Sequence, residues 1–323
     1  MKRAAQAGAA LLVAMLTVSL VATFAAAALW QQWRSVEIEA AERTRVQSAW
    51  ILTGALDWSR LILREDRRSS SVDHLGEPWA VPLQEARLST FLSADATNTA
   101  GSDADDVFLS GDITDLQSLL NVQNLFKASS VDAEGMKSFQ RLFEVLGLPQ
   151  AEMNRLAENF RFASDISVDN RSASRAPLVP ARIDQLVWLG LSPATVAALK
   201  PYVTLLPTAT KVNLNTAPAE VIYAALRGIS LADAQRLVAA RQSQPFRKVE
   251  DALELLPATA AAGKDNVGYA TDFFAVRGRI RLNDVVVEEH SVVQRSPGGE
   301  VKAIQRERGV LDPAALAQLA VRR

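Results

Sequence analysis

Hydrophobic and polar positions along the chain change rhythm four times. From Ala9 to Trp30 no charged residue occurs. A helix of that length reaches about 33 Å, enough to cross a bilayer core. Beyond Trp30 the helical pattern continues through "QQWRSVEIEAAERTRVQSAWILTGALDWSRLILREDRR", which contains no proline. Trp33, Val36, Ala40, Val46, Trp50 and Leu61 form a loose apolar stripe, with Glu37, Glu39, Arg43 and Arg45 on other faces. The pattern predicts either one helix from about Ala9 to about Arg64 or an anchor followed by a separate helix. Short apolar runs bounded by Gly, Asp and Ser then predict strands in "EARLSTFL" and "DVFLSGDITDLQSLLN", with the polar loop "SADATNTAGSDADD" between them. From about Ser129 to Leu256 the period is helical. Strands return in "ATDFFAVRGRIRLNDVVVEEHSVVQRS" and "GEVKAIQRERGVL", whose alternation predicts an antiparallel meander. The order long helix, strands, helical block, strands implies an α+β class with a helical insertion in one domain.

The helical block carries an internal echo. "VWLGLSPATVAALKPYV" and "AALRGISLADAQRLVAAR" align around Gly190-Leu191-Ser192 and Gly228-Ile229-Ser230. Each reads as a helix ending near Gly, a tight turn, a Ser N-cap and a second helix, a helix-hairpin-helix-like unit. Such hairpins present backbone N–H groups to phosphate in nucleic-acid binders. Here Ser192 and Ser230 stand where the hairpin usually has a second Gly, and Ile183–Leu256 holds seven Lys/Arg against six Asp/Glu. A membrane-tethered DNA-uptake receptor is the alternative reading, and the charge balance speaks against it.

Composition narrows the chemistry. The chain has 323 residues, no cysteine, two histidines and a formal net charge of −1. Disulfides, a thiol nucleophile and thiolate metal sites are excluded, and a histidine relay has little material. Asp73 and His74 lie beside Ser69–Ser71, but sequence neighbours are not a triad and no nucleophile elbow appears. The chain reads as a non-enzyme, a secreted hydrolase being the competing class. Lys2 and Arg3 before the apolar run place the N-terminus in the cytoplasm and the remainder across the membrane. The run exceeds the core of a removable secretory signal, although "ATFAAAALW" contains small residues of the kind that signal peptidases cut after.

Several segments together resemble one family. Gly8 directly before the apolar helix, with basic residues upstream, looks like the leader site cut by prepilin peptidase. "VDHLGEPWAVPL", "SGDITDLQSLLNVQNL" and "KVNLNTAPAEVIYAAL" are similar to segments found in that order in the K-type minor pseudopilins of type II secretion systems. The resemblance implies a leader over 1–8 and a mature, N-methylated chain from Ala9. It implies a hydrophobic then amphipathic helix over 9–65, transmembrane over about 9–30, and a pilin-like antiparallel head from 66–128 and 257–323. An all-α domain is inserted over 129–256. Pilin-like chains generally carry Glu at the fifth mature position; here it is Val13, and K-type members share this lack.

The implied role is assembly at the pseudopilus tip for export across the outer membrane. The implied partners are the I-type and J-type minor pseudopilins, the major pseudopilin, prepilin peptidase, the inner membrane and secreted substrates. Some family members bind calcium, which takes six to eight oxygens. Asp103, Asp105, Asp106, Asp112 and Asp115, with Asp265, Asn266 and Asp272, are the candidate ligands, though neither cluster forms an EF-hand loop.

Overall fold

The computed structural model describes residues 4–89, 107–127, 130–165, 175–261, 263–282 and 285–311. One unbroken helix, α1, spans Ala4–Ser69, so the one-helix expectation holds and extends several residues at each end. Arg67 and Arg68 occupy its last turn, where cations offset the negative end of the helix dipole. Its first half projects away from the rest of the molecule. From residue 9 onward Ser48 is the first buried residue, and from there Ser48, Leu52, Leu56, Ser59, Leu63 and Asp66 are all buried. That spacing of three and four keeps one face turned inward over five turns.

The inward face lies on an antiparallel sheet of five strands: β1 (Leu83–Arg87), β2 (Val107–Asp115), β3 (Phe273–Leu282), β4 (Val285–Arg295) and β5 (Val301–Leu311). Their order in space is their order in the chain. Alternation decides the two faces of the sheet. Phe274, Val276 and Ile280 of β3 and Val287 and Val293 of β4 are buried in two clusters with Leu52, Leu56 and Leu63 of α1. Arg277, Arg279 and Arg281 take the opposite phase and pair with Asp112, Glu288 and Glu85. The meander expected at the C-terminal end is therefore observed in β3–β5, with Val287 opposite Ile280 and His290 opposite both Arg277 and Glu307.

β2 and β3 are hydrogen-bonded neighbours, Ile113 facing Val276, yet more than 150 residues separate them. That excursion is the helical unit. It contains α2 (Ala133–Val145), α3 (Gln150–Ser164), a 3₁₀ stretch (Ile183–Leu189), α4 (Pro193–Leu199), α5 (Ala219–Ala225), α6 (Leu231–Ser243) and α7 (Val249–Leu253). Its core is separate from that of the sheet and includes Leu120, Val122, Leu125, Phe126 and Val267 alongside Phe139, Leu156, Leu186, Ile222 and Leu237. The inserted body is therefore wider than 129–256. It begins where β2 ends, because the 3₁₀ turns after Asp115 already pack into its core.

Both hairpins of the internal echo take the expected form. Gly190 and Gly228 have φ of +93° and +75°, conformations that cost a side chain dearly. Ser192 and Ser230 follow as N-caps, accepting from the backbone N–H of Thr195 and Asp233.

Candidate assembly surface and its joint with the head

Two features of the fold carry functional potential: the free half of α1 and the polar joint that fixes its other end. An 18-residue window of α1 has a mean hydropathy of 2.3, and none of it is buried in the molecule. A soluble core helix of this composition would be covered. Here Leu12, Val13, Leu16, Val21, Phe24 and Trp30 all stand exposed, so the helix needs a partner of its own, lipid or protein. The apolar stripe read from the sequence proves to be a different face from the buried one. Trp33, Val36, Val46 and Leu61 are exposed and Trp50 is 72% exposed. That stripe runs past the apolar half and down the flank of the head.

Three contacts fasten the lower half of α1 to the sheet beyond simple packing. Trp79, brought in by the connection after α1, sits edge-on to Phe274 with ring centroids 5.2 Å apart. Arg60 donates to the Val301 carbonyl at 2.8 Å. Glu289, buried beneath the helix, accepts from Arg306 and Arg308, and Arg306 also reaches the Thr53 hydroxyl at 3.1 Å.

The end of α1 is held by charge. Arg295 at the end of β4 is 1% exposed. Its guanidinium donates to Asp66 of α1 at 2.8 Å, to Asp73, and to the Thr271 carbonyl at 2.9 Å, with its flat face over Phe274. Asp73 also accepts from the Thr271 backbone N–H at 2.8 Å. Glu77 lies in the same pocket: Asp66, Asp73 and Glu77 each place an oxygen within 4.8 Å of the others. Glu77 accepts from the Trp79 indole N–H at 2.7 Å and the His74 backbone N–H at 3.0 Å. Burial, with Glu77 adding repulsion, pushes the Asp66 carboxyl up to about 6, and burial pushes Glu77 up as well.

The inserted unit locks onto this point through Asn213. Its side-chain amide donates to the Asp73 carbonyl and to the Asp115 carboxylate, and the Thr216 hydroxyl donates to the same carboxylate at 2.6 Å. Asp115 ends β2 and caps the following turn through the Gln117 backbone N–H at 2.7 Å. Burial drives its carboxyl up to about 6 against the pull of these donors. The three segments that carry the family resemblance thus converge: Asp73 and Glu77 from the first, Asp115 from the second, Asn213 and Thr216 from the third.

The candidate residues read from the sequence fall as follows. Gly8, Ala9 and Val13 lie on the projecting helix, and Ala9 and Val13 are exposed. Asp103, Asp105 and Asp106 lie outside the described residues. Asp112 pairs with Arg277 on the outer face of the sheet, while Asp115 is consumed by the joint. Asp265 is exposed in a short turn of the insertion beside Asn266, and Asp272 precedes β3. Among the described residues, no three of these aspartates gather around one point, and the carboxylate trio that does gather is Asp66, Asp73 and Glu77. Two of that trio already have Arg295 as their cation. Nor do Ser69–Ser71, Asp73 and His74 form a relay: Asp73 serves Arg295 and Thr271, and His74 Nδ1 accepts from the Gly76 N–H.

Arg295, Asp66, Glu289 and Asn213 were not singled out by the sequence reading, yet a signal existed. Positions 287, 289, 291, 293 and 295 share the inward phase of β4, so charges at 289 and 295 mark buried ion pairs. Asp66 likewise continues the three-and-four spacing of Leu56, Ser59 and Leu63.

Comparison with known proteins agrees with this architecture. Models of two consecutive domains, both described as type II secretion system (T2SS), protein K, match residues 118–208 and 212–272. The type II secretion system protein K of Pseudomonas aeruginosa is 27% identical over 332 residues, spanning 95% of this chain and 94% of that protein. A chain in the crystal structure of the GspK-GspI-GspJ complex from enterotoxigenic Escherichia coli superposes with a TM-score of 0.62 at 18% identity. It covers 83% of this chain and 98% of its own length, and so shares the fold. Consecutive family matches spanning the insertion, a relative aligned end to end, and this common fold all support a resemblance to the type II secretion system protein K family.

Proposed function

We propose that the chain acts at the tip of the pseudopilus, as a minor pseudopilin that nucleates or caps its assembly with I-type and J-type companions. The observation that carries this reading is the placement of the inserted unit. It leaves the sheet between two adjacent strands, β2 and β3, and has its own core of more than thirty buried side chains. A head so enlarged has room at the end of a helical filament and none within its shaft. The exposed stripe from Trp33 to Leu61 supplies the surface on which companion helices pack, burying apolar area that lipid covers beforehand. The relative's complex with GspI and GspJ supports the same partners here.

In this reading the first eight residues keep the chain at the cytoplasmic face until prepilin peptidase cuts after Gly8. The helix then anchors the chain in the inner membrane with the head in the periplasm. Val13 removes the carboxylate that would otherwise pair with a neighbouring subunit's N-terminal amine, a contact that a terminal subunit does without. The nucleic-acid alternative is disfavoured by where the basic residues of the insertion go. Arg141 is spent on the carbonyls of Tyr223, Leu226 and Ile229, and Arg241 on those of Leu214 and Ala217.

The test is a variant in which residues 116–272 are replaced by a short Gly/Ser link between Asp115 and Phe273, which are adjacent across β2 and β3. With the tip reading, the variant still matures and binds its companions but no longer stays at the end, and pseudopili incorporate it along their length. Exclusive tip location of the trimmed chain in labelled filaments would refute the reading.

A further inference from the structure

We propose that the buried cluster of Asp66, Asp73, Glu77 and Arg295 is a proton-linked latch that clamps the end of the stem helix to the head when it holds one extra proton and loosens when that proton leaves. The argument starts from charge. Three carboxylates share one pocket, and all three residues are less than 9% exposed. One guanidinium, on Arg295, is bonded to two of them. A buried charge without a counter-charge is costly and is relieved by taking up a proton. The other charged groups facing the cluster add no permanent cation within ion-pair distance; His74 reaches the limit of that distance and is a cation only when protonated. From α1 comes Arg67, which acts on Asp272. From the connection comes His74, whose Nε2 is 4.0 Å from Glu77. From the segment entering β3 comes Asp272, itself an acid.

The cluster is a mechanical joint as well as a charged one. Asp66 belongs to the last turns of α1, Asp73 and Glu77 to the connection, Thr271 to the segment leaving the insertion, and Arg295 to the end of β4. Glu77 additionally holds the Trp79 indole N–H, and Trp79 is the largest fully buried side chain among the described residues. Loosening the pocket therefore frees the helix end and the Trp79 anchor together. The direction follows from linkage. Asp66 moves from 3.8 to about 6 on folding. The stability that accompanies its protonation is complete below the unfolded value and is lost as pH rises through the folded one. The latch is tight on the acid side and slack near neutrality.

This inference stands on the joint alone and is independent of the tip reading. It is tested on the full chain in detergent micelles by amide exchange at pH 4.5 and 7.5, each corrected for the intrinsic exchange rate. Peptides spanning 63–80 should be at least about tenfold more protected at the lower pH, one pKa unit corresponding to a factor of ten. Peptides of α2 and α3 serve as the internal reference for global change, including any from Asp115. Glu77→Gln mimics the protonated acid and keeps an acceptor for Trp79; it should reduce the local ratio to below about threefold. Asp66→Asn is the second variant, with the same expectation. Equal protection of 63–80 at both pH values in the parent chain would overturn the latch. So would full retention of the pH effect in a folded Glu77→Gln or Asp66→Asn chain.

Discussion

The Asn213 side-chain amide donates to the backbone carbonyl of Asp73 at 3.0 Å across 140 positions of sequence, and the same nitrogen reaches the Asp115 carboxylate at 2.9 Å. One amide thus ties the inserted unit, the connection after the stem helix and the end of β2 to a single point. Replacing it with Ala leaves a buried carbonyl and a buried carboxylate each short of a donor. Asn213→Ala should cost about 2–4 kcal/mol, measured as a lower midpoint in urea unfolding. A loss below about 0.5 kcal/mol would remove Asn213 from the joint.

Leu63 is fully buried where α1 meets Trp79 and Phe274. Leu63→Ala should destabilise the head by about 3 kcal/mol through lost burial and the cavity left behind. Leu61→Ala, two residues away on the exposed face, should change stability by less than about 0.5 kcal/mol. Thermal unfolding of both variants separates the faces. Similar losses would mean that the stripe assignment is wrong.

Trp50 is exposed on the flank that the stripe presents to companions. Trp50→Glu should leave the head's unfolding midpoint unchanged and weaken co-purification with I-type and J-type subunits by tenfold or more, as expected for an aromatic anchor at an interface. Unchanged recovery of both companions would remove this flank from the interface.

Gly228 has φ of +75°, and a β-carbon there would lie 2.4 Å from the Thr259 carbonyl oxygen. Gly228→Ala should therefore destabilise the insertion by more than the roughly 1 kcal/mol of the backbone conformation alone. Circular dichroism melting reads the loss, and a neutral result would contradict the close approach.

At the N-terminus, Gly8→Leu should block processing by prepilin peptidase, seen as retention of the full-length mass after co-expression. Val13→Glu should still be processed and should restore a carboxylate for the neighbouring amine. With the tip reading it allows the chain to enter the shaft, which filament labelling would detect. Normal maturation of Gly8→Leu would count against the leader boundary.

Local physics made much of this legible in advance. An uncharged run long enough for a bilayer, a helical period without proline and an alternating C-terminal half each dictate an element through backbone geometry alone. The paired Gly–X–Ser turns were equally readable, because a left-handed glycine and a serine cap are local devices. Four things were not. The faces of α1 could not be assigned, since Leu52, Leu56 and Leu63 differ from Trp50 and Leu61 only in what lies across from them. The insertion's limits were drawn too narrowly, because Leu120 and Val267 join its core only once β2 and β3 pair. The aspartates at 112 and 115 were grouped by sequence, and the sheet sends one to each face. The Arg295 cluster was missed because Arg295 lies more than 200 positions from the three acids it meets.

The sequence by itself determined the elements, their order and the family resemblance, since these follow from periodicity, turn chemistry and the succession of short segments. Only the tertiary structure decided which acids share a pocket, which face of the stem is free, and where the insertion takes hold. Those outcomes depend on strand register and on burial, which bring distant charges together in a medium where an uncompensated one is expensive.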